Sequence, residues 1–286
     1  MFQSEYTPLV PNQDMEKREK CWVIAKGLQA TDGLKTSPYL ETIIADTLEN
    51  QYTTEEAAEK VYNRYTAMNP DSAEYAHKEA DIVAARIAVC LEREDFKLSP
   101  ISLKAIHREL FQDVLPFAWV GEYRTENISK KEAVLNGASM VYSDYKAISE
   151  YLRYDFDTEQ DAQYNTPFGI TDAHKFAKFI STIWQAYPFR EGNTRTISTF
   201  AIKYLHTMGV HIDNAPFEAH SKWFRDALVR ANYTDAQKGI RPNTSYLHKF
   251  FENAILSVEH DLQAINLQED IPKGSLERKQ ETDRER

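Results

Sequence analysis

The 286-residue sequence is poor in glycine and cysteine and contains no long apolar run. Nine glycines are too few for a sheet protein with many tight turns. The two cysteines, Cys21 and Cys90, match no metal-ligand or disulfide spacing, which indicates thiols in a reducing compartment. No segment reaches the roughly 18 apolar residues that cross a bilayer, and the N-terminus lacks the pattern of a signal peptide. We therefore expect a soluble cytoplasmic protein without membrane contact, although secretion as an effector is also compatible with the composition.

Basic residues are not in excess either. The sequence has 34 lysines and arginines against 44 acidic residues, a formal net charge of −10, and its pI is about 5.4. A general nucleic-acid binder needs a basic face for the phosphates, so we expect no direct nucleic-acid binding. Hydrophobic residues make up 42% of the chain and aromatic residues 12%, which excludes a disordered protein.

The length allows one large domain, or a domain with a smaller appendage. The pattern predicts a helical appendage at residues 1–70, a core at residues 71–262, and a charged tail at residues 263–286 that lacks aromatic residues and is expected to be disordered. Residues 1–70 fit equally well as the first helices of a single core.

Helical signals dominate the sequence. Ser37, Thr53 and Ser99 are predicted to begin helices, and Ser37 and Ser99 are each followed by a proline, the residue favoured at the first helical position. After Pro70, apolar residues recur at helical spacing through most of the chain. The predicted fold class is all-α.

Residues 128–142 break the helical pattern. Two apolar stretches, 133–135 and 138–142, flank Asn136-Gly137, a dipeptide typical of a hairpin turn. One hairpin has too few strands for an independent sheet. It is therefore predicted to lie on the helices or to act on another molecule.

The segment between two predicted helices, Tyr187-Pro-Phe-Arg-Glu-Gly-Asn-Thr-Arg195, combines groups that suit a phosphate ligand. Gly192 permits a sharp turn, and the helix that follows it presents free N–H groups and a partial positive charge. Arg190 and Arg195 add donors that match phosphate geometry, and Glu191 supplies a hard oxygen ligand for Mg²⁺. These residues predict a nucleotide-phosphate site; the alternative is an ordinary helix junction with a solvated ion pair.

This loop closely resembles the signature of the Fic (Fido) family, usually written His-x-Phe-x-Asp/Glu-Gly-Asn-Gly/Lys-Arg-x-x-Arg. Segments similar to the family's lead-in, flap and nucleotide-side segment occur in the expected order: His107-Arg-Glu-Leu-Phe111 and Trp119-Val-Gly-Glu-Tyr-Arg124, the Asn136-Gly137 hairpin, and Ala227-Leu-Val-Arg-Ala-Asn-Tyr233. The resemblance covers about residues 73–256.

The resemblance implies an all-helical Fic-type bundle that transfers AMP from Mg-ATP to a hydroxyl group of a target protein. Glu191 would bind Mg²⁺, Arg195 would neutralise charge as pyrophosphate leaves, and Phe189 would pack into the core. The side chain of Asn193 would join the backbone in the phosphate site. The residues implied in nucleotide binding are Arg190, Gly192, Asn193, Thr194, Arg195, Asn232 and Tyr233.

The hairpin would serve as the flap, which pairs with the target backbone by strand addition. Its implied target-facing residues are Lys130, Asn136, Gly137 and Val141. The implied partners are thus a nucleotide and a target protein, and the oligomeric state is left open.

Tyr187 stands where the family has its histidine general base. A free tyrosine has a pKa near 10, so only about one in a thousand is ionised at pH 7. Arg190, Arg195 and the helix N-terminus are expected to push this pKa down, and a general base requires a drop of about three units. Loss of a general base costs about 10² to 10⁴ in rate. Transfers through loose transition states depend mainly on positioning, so slow transfer remains accessible.

The family's second arginine, which contacts the γ-phosphate or an inhibitory glutamate, is replaced by Ser198. The inhibitory motif Ser/Thr-x-x-x-Glu-Gly/Asn is partly matched at residues 28–33 and 45–50, which makes Asp32 and Glu49 the inhibitory candidates. Residues 22–65 resemble the antitoxin-like helices fused to some family members, and a generic helix pair fits as well.

The resulting hypothesis is a protein adenylyltransferase (AMPylation) that uses ATP and Mg²⁺ and is attenuated by Tyr187. The alternatives are a catalytically silent nucleotide-binding regulator or antitoxin-like partner, and a scaffold that binds no nucleotide. Another phosphate-linked donor, such as a phosphocholine compound or a different nucleotide, fits the same site.

Overall fold

Ten α-helices carry the fold of residues 13–210 and 212–272, which are the residues that the computed structural model describes. None of these helices is both long enough and apolar enough to cross a bilayer. The helices are α1 Gln13–Gly27, α2 Pro38–Leu48, α3 Thr54–Ala67, α4 Lys78–Glu92, α5 Pro100–Phe111, α6 Ile148–Gln160, α7 Ile170–Ala186, α8 Asn193–Thr207, α9 Ala215–Asn232 and α10 Ser245–Leu256. A two-stranded antiparallel hairpin, β1 Ser129–Lys131 and β2 Ser139–Val141, completes the fold. The predicted all-α class with one hairpin is confirmed.

The predicted helix starts are confirmed by their caps. The Ser37 hydroxyl accepts a hydrogen bond from the Leu40 N–H at the start of α2. The Thr53 hydroxyl and the Glu56 carboxylate form a reciprocal capping box at the start of α3. Ser99 caps α5 in the same way as Ser37 caps α2. These local side-chain bonds satisfy N–H groups that have no partner within their own helix.

The hairpin differs from its prediction. The first predicted strand, 133–135, is a 3₁₀ turn, and β1 lies before it at Ser129–Lys131. Asn136 and Gly137 both adopt left-handed backbone conformations (φ 52° and 83°), as a tight turn between strands requires. The apolar stretch at 133–135 does not alternate as a strand would, because the turn directs both Val134 and Leu135 into the core.

Helix α10 ends at Leu256, since Ser257 adopts a left-handed conformation (φ 53°). Helix α6 had no predicted counterpart, and it buries Leu152 and Phe156 on one face. The Phe156 ring packs edge-on against Phe179 of α7 and Phe200 of α8.

Helix α8 lies at the centre of the fold. Every residue from Asn193 to Leu205 is buried, including polar ones. A helix buried on all sides belongs to the core of the protein. Its one buried lysine, Lys203, is satisfied by the carbonyl oxygens of Cys90 (2.5 Å) and Arg93 (2.7 Å) and by the Asp95 carboxylate (3.0 Å).

The N-terminal helices share the same cluster of buried apolar side chains as α8. Trp22 and Leu28 are almost fully buried in that cluster. A buried polar network also joins the N-terminal helices to α4. Asp81 of α4 accepts hydrogen bonds from the Ser37 hydroxyl (2.5 Å) and the Tyr65 hydroxyl (2.7 Å). This packing fits the interpretation that the first helices belong to a single core.

The predicted tail is packed in part. Residues 263–272 follow an irregular path with Leu267 and Ile271 buried, so the expectation of disorder from residue 263 was wrong for this stretch. Its two apolar side chains anchor it despite its charge. The rest of the predicted tail, like residues 1–12, lies outside the described residues.

Gly27 should be indispensable where α1 meets α9. Its backbone is helical (φ −58°), so alanine would ordinarily stabilise this position. A Cβ here would lie 2.2 Å from the Phe217 carbonyl oxygen and 2.7 Å from the Glu218 Cα, both backbone atoms that cannot turn aside. We expect Gly27→Ala to lower the free energy of unfolding by about 2 kcal/mol through overpacking, measured by urea denaturation.

Gly169→Ala is the matched control, because a Cβ at Gly169 meets only the Asp172 carboxylate, at an ordinary 3.6 Å. Because Gly169 is the N-cap of α7, where glycine is preferred over alanine, the stability of this variant should fall by no more than about 1 kcal/mol. Equal stability of the two variants would contradict the close contact between α1 and α9.

Candidate functional site

The loop between α7 and α8 makes a sharp reversal at both ends. Tyr187 and Gly192 both adopt left-handed backbone conformations, with φ of 45° and 71°. A Cβ on Gly192 would lie 2.3 Å from the Phe111 ring, so only glycine fits there. Two constraints therefore require glycine at position 192, as predicted: the backbone angle and the close approach of an aromatic ring.

Asn193 closes this loop. Its side-chain oxygen accepts a hydrogen bond from the Phe189 N–H (2.8 Å), and its side-chain amide donates to the Phe189 carbonyl oxygen (2.7 Å). The Phe189 ring is fully buried and stacks on His107, with centroids 3.9 Å apart. The expected packing of Phe189 is confirmed, but the Asn193 side chain holds the loop instead of facing a ligand.

Arg124 ties the start of the loop to the lead-in segment. Its side chain is buried and donates to the carbonyl oxygens of Tyr187 (2.9 Å) and Ala186 (3.3 Å). Its backbone N–H donates to the Pro188 carbonyl oxygen (2.8 Å). Arg124 was not among the predicted site residues. The sequence feature that could have identified it is its position in a motif that resembles the family.

His107 supports the other end of the loop. Its Nδ1 accepts a hydrogen bond from the Gly121 N–H (2.8 Å), so the proton is on Nε2, which donates to the Glu191 carbonyl oxygen (3.1 Å). Burial lowers the pKa of His107 to about 4, so the ring is neutral at neutral pH. His107 was not among the predicted site residues.

The N-terminus of α8 presents the N–H groups that the sequence predicted. Within the described part of the chain, the N–H groups of Gly192, Asn193, Thr194 and Arg195 donate to no protein acceptor. The Thr194 hydroxyl accepts a hydrogen bond from the Trp184 indole (3.0 Å) and retains its own proton for donation. Unpartnered N–H groups at the positive end of a helix dipole form an anion site.

Glu191 lies at the exposed edge of this site. Burial of its carboxyl raises the pKa of Glu191, and the nearby carboxylates of Asp32 and Glu79 act in the same direction, against Lys130 and Arg195. A divalent cation would relieve that repulsion. Among the described residues no three acidic, histidine or cysteine side chains are arranged around a metal position. The Glu191 carboxylate is a hard oxygen ligand of the kind that Mg²⁺ takes together with phosphate oxygens.

Tyr187 is packed inside the protein. Its ring stacks on Tyr142 of the hairpin segment (centroids 3.8 Å apart) and meets the Trp184 ring edge-on (5.5 Å). Burial raises the pKa of Tyr187 to about 12, although Arg225 acts to lower it. The positive charges therefore do not bring this pKa down to that of a general base, because loss of hydration outweighs them. Tyr187 is a neutral phenol at pH 7.

A buried ion pair lies beside Tyr187 and Tyr142. The Arg225 guanidinium of α9 binds the Glu132 carboxylate with two hydrogen bonds, of 2.7 and 2.8 Å. Burial opposes the charge on Arg225, but Glu132 outweighs it and raises the pKa of Arg225 further. This pair attaches the hairpin to α9, and neither residue was predicted from the sequence.

Arg195 is held by acidic residues from outside the loop. Its guanidinium lies 2.8 Å from the Asp32 carboxylate and 2.6 Å from the Glu79 carboxylate, and it donates to the Gln29 side chain (3.2 Å). Only 3% of the Arg195 side chain is exposed. Asp32 is therefore next to the site, as an inhibitory residue would be. Glu49 is exposed at the end of α2 and forms no ion pair with the described residues.

Arg190 points away from the anion site. Its guanidinium pairs with the Glu126 carboxylate and lies over the Trp119 ring, 4.6 Å from the centroid. These contacts hold the Arg190 side chain at the surface between the loop and the lead-in segment. The structure thus does not bring Arg190 into the phosphate position expected for it.

Asn232 and Tyr233 end α9, about 10 Å beyond Arg225 by helical rise. The Asn232 amide donates to the Ser181 hydroxyl (2.9 Å) and the Leu228 carbonyl oxygen (2.9 Å). Tyr233 is buried. Among the described residues, neither forms a hydrogen bond, an ion pair or a ring contact with the loop 187–195.

The hairpin presents three of its four predicted residues to solvent. Lys130 is exposed on β1, close enough to Glu191 to influence its pKa, and 67% of Val141 on β2 is exposed. Gly137 is also exposed at the turn. The Asn136 side chain instead bonds to the C-terminal segment, where it donates to the carbonyl oxygens of Ile271 and Pro272.

Comparison with known proteins gives concordant results. Residues 97–205 match the model of the Fic/DOC family. Protein adenylyltransferase VbhT of Bartonella schoenbuchensis is 30% identical over 149 residues, which cover 46% of this chain. The chain spans only 29% of that relative's length.

The fold has a counterpart among solved structures. A Fic family protein from Desulfovibrio desulfuricans G20 superposes with a TM-score of 0.50 over 90% of this chain and 76% of that one. The sequence identity is 12%, so the likeness concerns the fold alone.

His107 should make stability depend on pH. Its pKa falls from 6.5 in the unfolded chain to about 4 in the folded protein, so the unfolded state binds the proton first. Stability should therefore fall between pH 6.5 and pH 4, by up to about 3 kcal/mol from this group. In His107→Gln, the amide nitrogen can still donate to the Glu191 carbonyl oxygen, and the side chain does not titrate. Urea denaturation at several pH values should give a flatter profile for this variant, and parallel profiles would contradict the assignment.

Proposed function

We propose that this protein, whose residues 97–205 match the model of the Fic/DOC family, transfers AMP from Mg-ATP to a hydroxyl group of a target protein, at a rate lowered by Tyr187. One observation supports this most strongly: the N-terminus of α8 offers unpartnered N–H groups beside the Glu191 carboxylate. An anion and a divalent cation have complementary ligands there.

Residues 191–195 would each have a distinct role in binding Mg-ATP. The N–H groups of residues 192–195 would donate hydrogen bonds to the α- and β-phosphates, and the Thr194 hydroxyl would add one donor. Glu191 would hold Mg²⁺, which when bound neutralises phosphate charge and steadies the departing pyrophosphate. Arg195, once free of Asp32 and Glu79, would contribute a guanidinium to the same phosphates.

The transfer itself requires no oxidant or reductant. The target hydroxyl oxygen forms a bond to the α-phosphorus, the bond from that phosphorus to the bridging oxygen breaks, and pyrophosphate leaves with the bond electrons. The hydroxyl proton must go to water or to a phosphate oxygen, because neutral Tyr187 has a pKa of about 12 and accepts no proton. Absence of a general base lowers the rate by about 10² to 10⁴.

We further propose that the N-terminal segment restrains the site. Asp32 lies at the end of the 3₁₀ turn that follows α1, and its carboxylate pairs with Arg195. A guanidinium paired in this way is not available to phosphates, and a nearby carboxylate repels them. Arg195 is the first of the two arginines in the family signature, and Ser198 stands in place of the second. Asp32 thus acts on the signature arginine that this chain retains.

The exposed edge of the flap supports the assignment of a protein target. Lys130 and Val141 face solvent on the two strands of the flap, next to the Glu191 side of the loop. An extended target segment would add as a third strand and bring its hydroxyl to the anion site.

Labelled ATP tests the activity directly. The protein with Mg²⁺, α-labelled ATP and cell lysate should transfer label slowly, and Tyr187→His should raise the rate about 100-fold by restoring a base. Glu191→Gln should reduce transfer at least about 100-fold, whereas Glu150→Gln, which alters an exposed carboxylate on α6, should not. No transfer by either the native protein or Tyr187→His would refute the proposal.

Removal of the Asp32 charge tests the restraint. Asp32→Asn removes one charge with little change in size, and we expect it to raise the transfer rate about 10-fold and to tighten Mg-ATP binding, measured by calorimetry. Glu49→Gln is the matched control, because Glu49 lies outside the site. Equal rates for both variants would show that Asp32 does not restrain the enzyme.

A catalytically silent nucleotide-binding regulator is the second candidate. The raised pKa of Tyr187 and the captured Arg195 favour it. This candidate predicts that Mg-ATP binds, that Glu191→Gln weakens binding, and that neither Asp32→Asn nor Tyr187→His transfers label.

A further inference from the structure

Residues 258–272, here called the C-terminal strap, run from the end of α10 to the turn of the flap. Leu262, Leu267 and Ile271 are buried along it. Its Asp270 pairs with Arg230 of α9, a guanidinium that is itself fully buried. The strap is therefore fixed to the helical body over most of its length.

At the flap, the strap makes a reciprocal exchange of amide hydrogen bonds. The Gln268 side-chain amide donates to the Ala133 carbonyl oxygen (2.7 Å) and to the Asn136 side-chain oxygen (3.1 Å). In return, the Asn136 side-chain amide donates to the carbonyl oxygens of Ile271 and Pro272, each at 3.2 Å. Both protons of each amide are thus directed across this contact.

The flap needs support from outside itself. Its two strands of three residues share only three paired positions, and an isolated hairpin of this size is at best marginally stable in water. The Arg225–Glu132 pair attaches it at the base. The turn is attached through Gln268 and Asn136, whose side-chain hydrogen bonds among the described residues involve no residue of the loop 187–195.

We propose that Gln268 and Asn136 are positioning residues, which orient the flap edge that receives the target backbone. The role in target docking rests on the proposed function. Because neither residue touches the loop 187–195, loss of the contact should weaken target docking and leave nucleotide binding intact. With a target in hand, the KM for that target should rise about 10-fold while kcat changes less than about 2-fold.

The chemistry of Gln268 permits a sharp test. Gln268→Glu preserves size but removes both donors and places a carboxylate against two acceptor oxygens. Gln268→Lys restores donors at nearly the same position. Gln263→Glu makes the same change of charge on an exposed neighbour in the strap that forms no side-chain bond with the described residues.

Hydrogen exchange of the full chain without nucleotide gives the first readout. In Gln268→Glu, amides of residues 129–141 should exchange about 10-fold faster, whereas Gln268→Lys and Gln263→Glu should resemble the native protein. Unchanged exchange in Gln268→Glu would overturn the proposal. Faster exchange that extends equally to α7 and α8 would also overturn it, since the strap would then stabilise the whole fold. This readout needs no transfer activity, so it separates failure of this proposal from failure of the proposed function.

Calorimetry with Mg-ATP gives the second readout. The affinity of Gln268→Glu should stay within about 2-fold of the native value, because the anion site is built from α8 and Glu191. A loss of nucleotide binding comparable to that of Glu191→Gln would contradict a role confined to the flap.

Discussion

The N-terminus of α8 lies inside the protein, and this constraint governs the loop that precedes it. A helix begins with N–H groups that its own backbone leaves without partners. Within the described residues, nearby side chains do not consume the N–H groups of residues 192–195. Asn193, Arg124 and His107 instead take up the polar groups of the loop, at Phe189, Tyr187 and Glu191. The loop is thus held without use of those N–H groups, and the helix end stays available to an anion.

Buried arginines of α8 and α9 form ion pairs with distant parts of the chain. Arg195 is satisfied by Asp32 from the N-terminal segment and by Glu79 from α4. On α9, Arg225 binds Glu132 of the flap, and Arg230 pairs with Asp270 of the strap. A buried guanidinium without a partner is strongly unfavourable. These three arginines therefore connect the N-terminal segment, the flap and the strap to the helical body.

Local chemistry made much of the fold predictable. The caps at Ser37, Thr53 and Ser99 and the glycine turn at Gly192 depend on neighbouring residues, and the structure contains each of them. Predictions that needed distant partners were less secure. The strand predicted at 133–135 is a turn, because Val134 and Leu135 are both buried in the core. Residues 263–272 are packed on the protein because Leu267 and Ile271 are buried in the same core.

For the site, the sequence alone determined the order of residue types: a glycine turn, a helix start, a carboxylate and two arginines within one short loop. Their roles were decided by tertiary structure, since hydration and charge depend on what surrounds a side chain. Arg190 turns toward Trp119, Arg195 is held by Asp32, and burial against Tyr142 raises the pKa of Tyr187 to about 12. A sequence specifies which groups are close along the chain, whereas desolvation and ion pairing arise only when the chain folds and brings distant groups into contact.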